Sequence, residues 1–64
     1  MQPYQQRVVT EREELSEKIA KLAKFFSTEM YRALPGSEQD RLFRQLKHMN
    51  AYSDVLAERI VAFT

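Results

Sequence analysis

Apolar residues recur at intervals of three, four or seven positions along two stretches of the chain. The first stripe consists of Tyr4, Val8, Leu15, Ile19, Leu22 and Phe26. The second consists of Leu42, Leu46, Met49, Leu56, Ile60 and Phe63, with Ser53 as a gap. This spacing is typical of helices that pack one apolar stripe against near-parallel neighbours. The pattern therefore predicts an all-α chain with two amphipathic helices.

The run Leu34-Pro35-Gly36-Ser37 separates the two stripes and sets the expected boundaries. Proline and glycine are the strongest breakers of a helical pattern. We predict a single helical-hairpin domain over residues 1–64, with helix 1 at about 3–27, a connection at about 28–37 and helix 2 at about 38–62.

Polar residues near the break are candidates for helix caps. Ser37, followed by Asp40 three residues later, resembles a capping box at the start of helix 2. Ser27 or Thr28 is suited to cap a short helical turn within the connection. The apolar side chains of that turn are expected to cover the end of the hairpin as a lid; they are Met30, Tyr31 and Leu34.

A short connection makes the two helices antiparallel neighbours, so their apolar residues are expected to meet in layers. These layers are Phe26 with Leu42, Leu22 with Leu46, Ile19 with Met49, Leu15 with Ser53, Val8 with Ile60, and Tyr4 near Phe63. Between Leu15 and Val8 the stripe holds Glu11 or Arg12, facing Leu56. Such a polar layer either controls the register of the helices or contacts a ligand.

A chain of 64 residues without cysteine has few means of stabilising a lone hairpin. Further apolar residues lie outside the two stripes, namely Val9, Phe25, Phe43, Tyr52, Val55 and Val61. Exposed apolar surface of that extent usually marks an interface. We therefore expect an antiparallel two-helix hairpin that assembles with copies of itself as a homo-oligomeric helical bundle.

The residue types argue against catalysis and against cofactor or metal binding. The one glycine ends a turn, and His48 is the one histidine. A lone hairpin also lacks the concave, water-excluding pocket that a reaction needs. No apolar run reaches the roughly 20 residues that cross a bilayer, and the N-terminus lacks the pattern of a signal peptide. We expect a non-enzymatic cytoplasmic protein with no cofactor, no metal and no membrane partner.

Charge is distributed unevenly along the hairpin, although the net charge is +1. Residues 18–48 carry seven Lys or Arg and three acids, whereas the other residues carry three Lys or Arg and six acids. Arg41, Arg44 and His48 share one side of helix 2 near its partly positive N-terminus. A phosphate-bearing ligand would fit there, because arginine offers a fork of donors. The acidic ends of neighbouring protomers would fit as well.

A second polar stripe lies beside the apolar one. It contains Gln45, Tyr52 and Arg59, and across the hairpin from it lie Tyr4, Arg7 and Glu11. Tyrosine with amide and guanidinium groups can stack on a base and hold a phosphate. Tyrosine and arginine are also enriched at subunit interfaces. A ligand pocket between protomers would satisfy both interpretations.

These residues resemble those of small helical-hairpin proteins encoded by tailed phages and crAss-like phages. The resemblance covers nearly the whole chain and runs through Arg7-Val8-Val9, Glu11, Leu15, Ile19, Leu22, Phe26, Leu34-Pro35, Arg41-Leu42, Gln45, Met49, Tyr52, Leu56 and Arg59-Ile60. Its more distinctive part is Gln45, Met49, Tyr52 and Arg59. The plan is also similar to that of phage anti-defence sponges, which are oligomeric helical hairpins that sequester cyclic oligonucleotide immune signals.

The resemblance implies a non-catalytic phage-type protein that sequesters a nucleotide signal in the host cytoplasm, in pockets between protomers. The residues expected to contact such a ligand are Tyr4, Arg7, Arg41, Arg44, Gln45, His48, Tyr52 and Arg59. The alternative is a helical protein–protein interaction module that inhibits or bridges a host protein through its apolar face. The near-neutral net charge disfavours a third class, the DNA-binding accessory proteins.

Overall fold

The computed structural model describes residues 1–63 as two long helices joined by a short one. Helix α1 spans Pro3–Phe25, α2 spans Glu29–Ala33 and α3 spans Gly36–Val61. The prediction of an all-α chain is confirmed, because α1 and α3 pack against each other and no strand forms within residues 1–63. Helix α1 ends two residues earlier than predicted, and α3 begins two residues earlier.

The start of α3 differs from the prediction. Pro35, in an extended conformation, occupies the N-cap position, and its carbonyl accepts hydrogen bonds from the N–H groups of Glu38 and Gln39. Ser37 therefore lies inside the first turn, so its prediction as the N-cap is wrong. The cause is the fixed φ of proline, which suits an extended residue directly before a helix. Asp40 completes no capping box and instead accepts a hydrogen bond from Arg44.

Helix α2 is capped by Thr28, which resolves the choice between Ser27 and Thr28. The Thr28 hydroxyl accepts a hydrogen bond from the Tyr31 N–H at 3.2 Å and donates one to the Phe25 carbonyl at 2.6 Å. The Tyr31 ring packs edge-on against Phe26, with ring centroids 4.7 Å apart. Met30 is 72% exposed, so its prediction as part of the lid is wrong. Neighbouring helix residues point about 100° apart, so the inward turn of Tyr31 directs Met30 outward.

The core lies in the half of the hairpin away from the connection. Val8, Leu15 and Leu56 form its buried centre, and Leu56 is only 1% exposed. Packed against this centre are Ile19, Met49, Ile60 and Phe63. The predicted proximity of Tyr4 and Phe63 is confirmed by ring centroids 5.9 Å apart. Towards the connection the paired side chains are only half-buried; they are Leu22, Phe26, Leu42 and Leu46.

The polar layer is formed by Arg12 and not by Glu11. The Arg12 Nε donates a hydrogen bond to the Ser53 carbonyl at 3.2 Å, while Glu11 is exposed. Tyr4, Val8, Arg12 and Leu15 follow one another at steps of four, four and three residues. Arg12 therefore lies in the apolar stripe of α1. The layer therefore has a structural contact of its own, which agrees with the register of α1 against α3.

Candidate functional site

The hairpin has two broad faces, one on each side of the plane through α1 and α3. Successive residues are about 100° apart, so residues flanking the apolar stripes on antiparallel helices fall on one face or the other. We call one the tyrosine face; it carries Arg7, Lys18 and Lys21 of α1 with Arg41, Gln45, His48, Tyr52 and Arg59 of α3. We call the other the alanine face; it carries Val9, Ser16, Ala20 and Ala23 of α1 with Phe43, Asn50, Ala57 and Val61 of α3.

The tyrosine face carries two lysines of α1 opposite three polar side chains of α3, in the half nearer the connection and just beyond the middle of the hairpin. The register set by the Arg12 bond and the Tyr4–Phe63 contact places two α1 lysines across from three polar side chains of α3. The members of this turn-half cluster are Lys18, Lys21, Gln45, His48 and Tyr52. Its α3 members span about 10 Å along the helix. All five are exposed, Tyr52 by 45%.

The two lysines of this cluster were missing from the set predicted from sequence. The charge count already showed a basic half of the chain, but only the pairing of α1 with α3 shows which cations lie beside Tyr52. Among residues 1–63 the two ion pairs lie within α3, so neither lysine is engaged with a carboxylate. Glu14 lies on the same face level with Tyr52 and marks where the face turns from basic to acidic.

Three other predicted residues lie at the open end of the same face. Tyr4 is 51% exposed and packs edge-on against Phe63, while Arg7 and Arg59 are exposed and lie across the hairpin from each other. Eleven residues of helix separate Arg59 from His48, or about 16 Å. The structure therefore divides the predicted set into two clusters and does not gather it into one site within a protomer.

Arg41 and Arg44 are engaged within their own helix. The Arg41 Nε lies 2.8 Å from Glu38 and the Arg44 Nε lies 2.9 Å from Asp40, with all four side chains well exposed. Exposed pairs of this kind contribute at most about 1 kcal/mol, so a phosphate could displace them. Arg44 points about 60° further from the stripe than Arg41 and leaves the tyrosine face. The structure therefore does not place it with the other predicted ligand residues.

A shallow groove lies at the edge of the alanine face. Its volume is about 240 Å³, and it is lined by Val9, Arg12, Glu13, Ser16 and Ile60. The groove includes Arg12 of the polar layer but none of the eight residues expected to contact a nucleotide. The groove combines four residues of α1 with Ile60 of α3, so the sequence of one helix alone does not indicate it.

Residues 1–63 contain neither a metal-binding cluster nor a membrane-spanning helix. No group of three or more His, Cys, Asp or Glu side chains is arranged to hold a metal ion. No helix in this part of the chain is long and apolar enough to cross a membrane.

The fold and surface define a small all-α hairpin protein whose candidate chemistry lies on open helix faces. A family model described as Sequestin matches residues 2–62, and the chain therefore belongs to the Sequestin family. The family name suggests the sequestering of a molecule. Searches of curated proteins and of solved structures found no match.

Proposed function

We propose that this protein is a non-catalytic, phage-type sponge that binds and sequesters a nucleotide immune signal in the host cytoplasm. The observation that carries the proposal is the turn-half cluster, in which Lys18 and Lys21 lie across from Gln45, His48 and Tyr52. Membership of the Sequestin family supports the act of sequestering. The resemblance to cyclic-oligonucleotide sponges supports the choice of ligand.

Each member of the cluster has a chemical role in this proposal. The exposed Tyr52 ring gives a base a surface for stacking, which contributes about 1–3 kcal/mol per base. Lys18 and Lys21 supply positive charge and N–H donors for phosphates. Gln45 offers both a donor and an acceptor to a base edge. Its amide N lies 3.9 Å from the Met49 sulfur, a weak contact that a base edge would replace.

One open face is a poor container, because ligand sites usually bury 70–90% of the ligand, a rough range. We propose that the tyrosine faces of two protomers enclose the signal. On α3, the residues of this face recur at intervals of three, four or seven positions. This is the spacing of residues in a helix–helix interface. Antiparallel pairing of two such stripes sets His48 beside the partner's Tyr52 and Arg41 beside the partner's Arg59. An anion between the two arginines would stabilise this pairing, so we expect the ligand to promote it.

The first experiment is a thermal-shift screen against cyclic dinucleotides and cyclic trinucleotides at fixed salt. A ligand at 100 times its dissociation constant stabilises the folded state by about 2.7 kcal/mol. The double variant Lys18→Gln/Lys21→Gln should lose the shift. Its matched control, Lys24→Gln/Arg44→Gln, removes the same charge from the same half of the hairpin but off the tyrosine face, and should keep it.

The competing function is a module that inhibits or bridges a host protein. It is favoured by exposed apolar side chains at Phe43, Val55 and Val61, which are 60%, 52% and 74% exposed. The absence of a shift with every nucleotide, together with a host protein bound through these residues, would favour this module over the sponge. Equal loss of the shift in both charge variants would show only general attraction to anions and would remove the turn-half cluster from the proposal.

A further inference from the structure

The hairpin exposes more surface than a compact chain of its mass. Its accessible area is 4966 Å², and it measures 46 × 15 × 13 Å. Folded monomers of 7.6 kDa expose about 4,300 Å² by the usual scaling with mass. The excess is roughly 700 Å². Each partner of a standard interface buries about 800 Å². The hairpin therefore has about one interface more surface than a compact monomer.

The alanine face has the composition that close helix packing needs. Small side chains follow one another along it and let another helix approach; they are Ser16, Ala20, Ala23 and Ala57. One large side chain projects from the face, because Phe43 is 60% exposed although it sits in mid-helix. One hollow lies on the same face, the groove of about 240 Å³ between Val9 and Ile60. Although Arg12, Glu13 and Ser16 also line the groove, it offers a phenyl ring the apolar side chains of Val9 and Ile60.

The projection and the hollow lie at opposite ends of the face. Seventeen residues of α3 separate Phe43 from Ile60, or about 25 Å. Within one protomer they cannot meet. A second copy can pack antiparallel against the same face, related by a two-fold axis that crosses both helices. Each Phe43 then lies beside Ile60 in the partner's groove. Such an interface is self-complementary, as the closed symmetry of a dimer demands.

The residue pairs that meet along α1 and those that meet along α3 are both consistent with this two-fold axis. On α1 the axis passes Ser16, so Ser16 meets the partner's Ser16 and Val9 meets the partner's Ala23. On α3 it passes level with Tyr52, so Phe43 meets the partner's Val61. Judged from the Tyr4–Phe63 contact, the two crossing points lie at the same level to within about one residue, or about 1.5 Å.

Charge selects the antiparallel arrangement over the parallel one. The half of the chain near the connection has seven basic and three acidic residues, and the remainder has three and six. Antiparallel packing sets each basic half against an acidic half, whereas parallel packing sets like against like. At the outer edge of α3, Lys47 comes near the partner's Glu58, because these positions lie five and six residues from the axis on opposite sides.

We infer that the alanine face is the interface with a second copy of this chain, in an antiparallel two-fold dimer in which each Phe43 packs into the partner's groove. The dimer forms without ligand and leaves both tyrosine faces open. It does not depend on the proposed function. Loss of nucleotide binding would leave the dimer intact, and loss of the dimer would be seen in ligand-free protein.

The direct test uses the absence of cysteine from the whole sequence. Ser16→Cys introduces a single thiol at the axis, nearly isosteric with the serine. Mild oxidation should convert most of this variant to a covalent dimer, while Val55→Cys, on the far side of α3, should remain largely uncrosslinked. A Ser16→Cys protein that oxidises no faster than Val55→Cys would overturn the inference.

A second measurement follows the dissociation constant of the dimer by sedimentation equilibrium. Phe43→Glu should weaken the dimer by about 30-fold or more, as loss of a central aromatic anchor does. Its matched control Val55→Glu should leave the constant unchanged. Lys47→Glu and Glu58→Lys should each weaken the dimer, and the double variant should recover most of the loss. A monomeric parent protein at 100 µM, or a dimer broken by Val55→Glu but not by Phe43→Glu, would contradict the proposed face.

Discussion

Leu56→Ala tests where the stability of the hairpin resides. Leu56 is 1% exposed and lies between Val8 and Leu15 of the opposite helix. Leu46, by contrast, is half-buried in the part of the hairpin nearer the connection. The two leucines occupy equivalent positions in the apolar stripe, so sequence alone would rank them equally. The structure predicts that the first substitution is much the more damaging.

The magnitude follows from the atoms removed. Leucine to alanine removes three carbon groups, and at about 0.8 kcal/mol per buried group this costs about 2.4 kcal/mol. A residual cavity can raise the loss towards about 5 kcal/mol. A chain of this length has a total stability of about 3–10 kcal/mol. Leu56→Ala should therefore remove a large part of the stability, whereas Leu46→Ala should lose less, because its side chain is already partly hydrated.

Circular dichroism at 222 nm with heating gives the comparison. One kcal/mol shifts the melting temperature of a domain this small by about 4–8 °C, so Leu56→Ala should melt at least about 10 °C below the parent. All proteins must be melted at one concentration, because association stabilises the folded state by mass action. Equal melting temperatures for the two variants, or a lower one for Leu46→Ala, would refute the placement of the core.

Three further outcomes test the local interactions and the assembly. Arg12→Ala should lose the bond to the Ser53 carbonyl and about 1 kcal/mol, while Glu11→Ala should be nearly neutral; equal effects by urea denaturation would contradict the assignment of the polar layer. Thr28→Ala should cost about 0.5–2 kcal/mol through loss of the α2 cap, whereas Ser37→Ala should change the urea midpoint little. Raising the salt concentration should weaken the antiparallel dimer in sedimentation equilibrium by screening its end-to-end attraction, and a dimer insensitive to salt would argue against that attraction.

The helices were predictable because the apolar period is regular over most of the chain. The two long stripes predict α1 and α3, and the antiparallel pairing brings Tyr4 to Phe63 as expected. The caps were less predictable, because several residues near each helix end can satisfy the same backbone groups. Proline geometry prevailed over the serine hydroxyl at the start of α3, and Thr28 prevailed over Ser27 before α2.

The candidate site was predictable only as a set of residue types. Periodicity within α3 places Gln45, His48 and Tyr52 on one side, and the predicted layers set Ile19 level with Met49, but the sequence-based set did not include the lysines beside Ile19. The structure shows that Lys18 and Lys21 lie on this face, in a register with which the Arg12 bond agrees. The groove depends on the same register. It therefore had no signature in the sequence of either helix alone.

The central claim is that the protein holds a nucleotide signal without changing it. The most direct measurement incubates the protein with a cyclic oligonucleotide that gives a thermal shift, removes free ligand by filtration, denatures the protein and identifies what is released. We predict intact ligand, recovered in a fixed ratio to protomers and lost in the Lys18→Gln/Lys21→Gln variant. Release of a cleaved product would show an enzyme, and no retained nucleotide from any member of the panel would contradict the sponge.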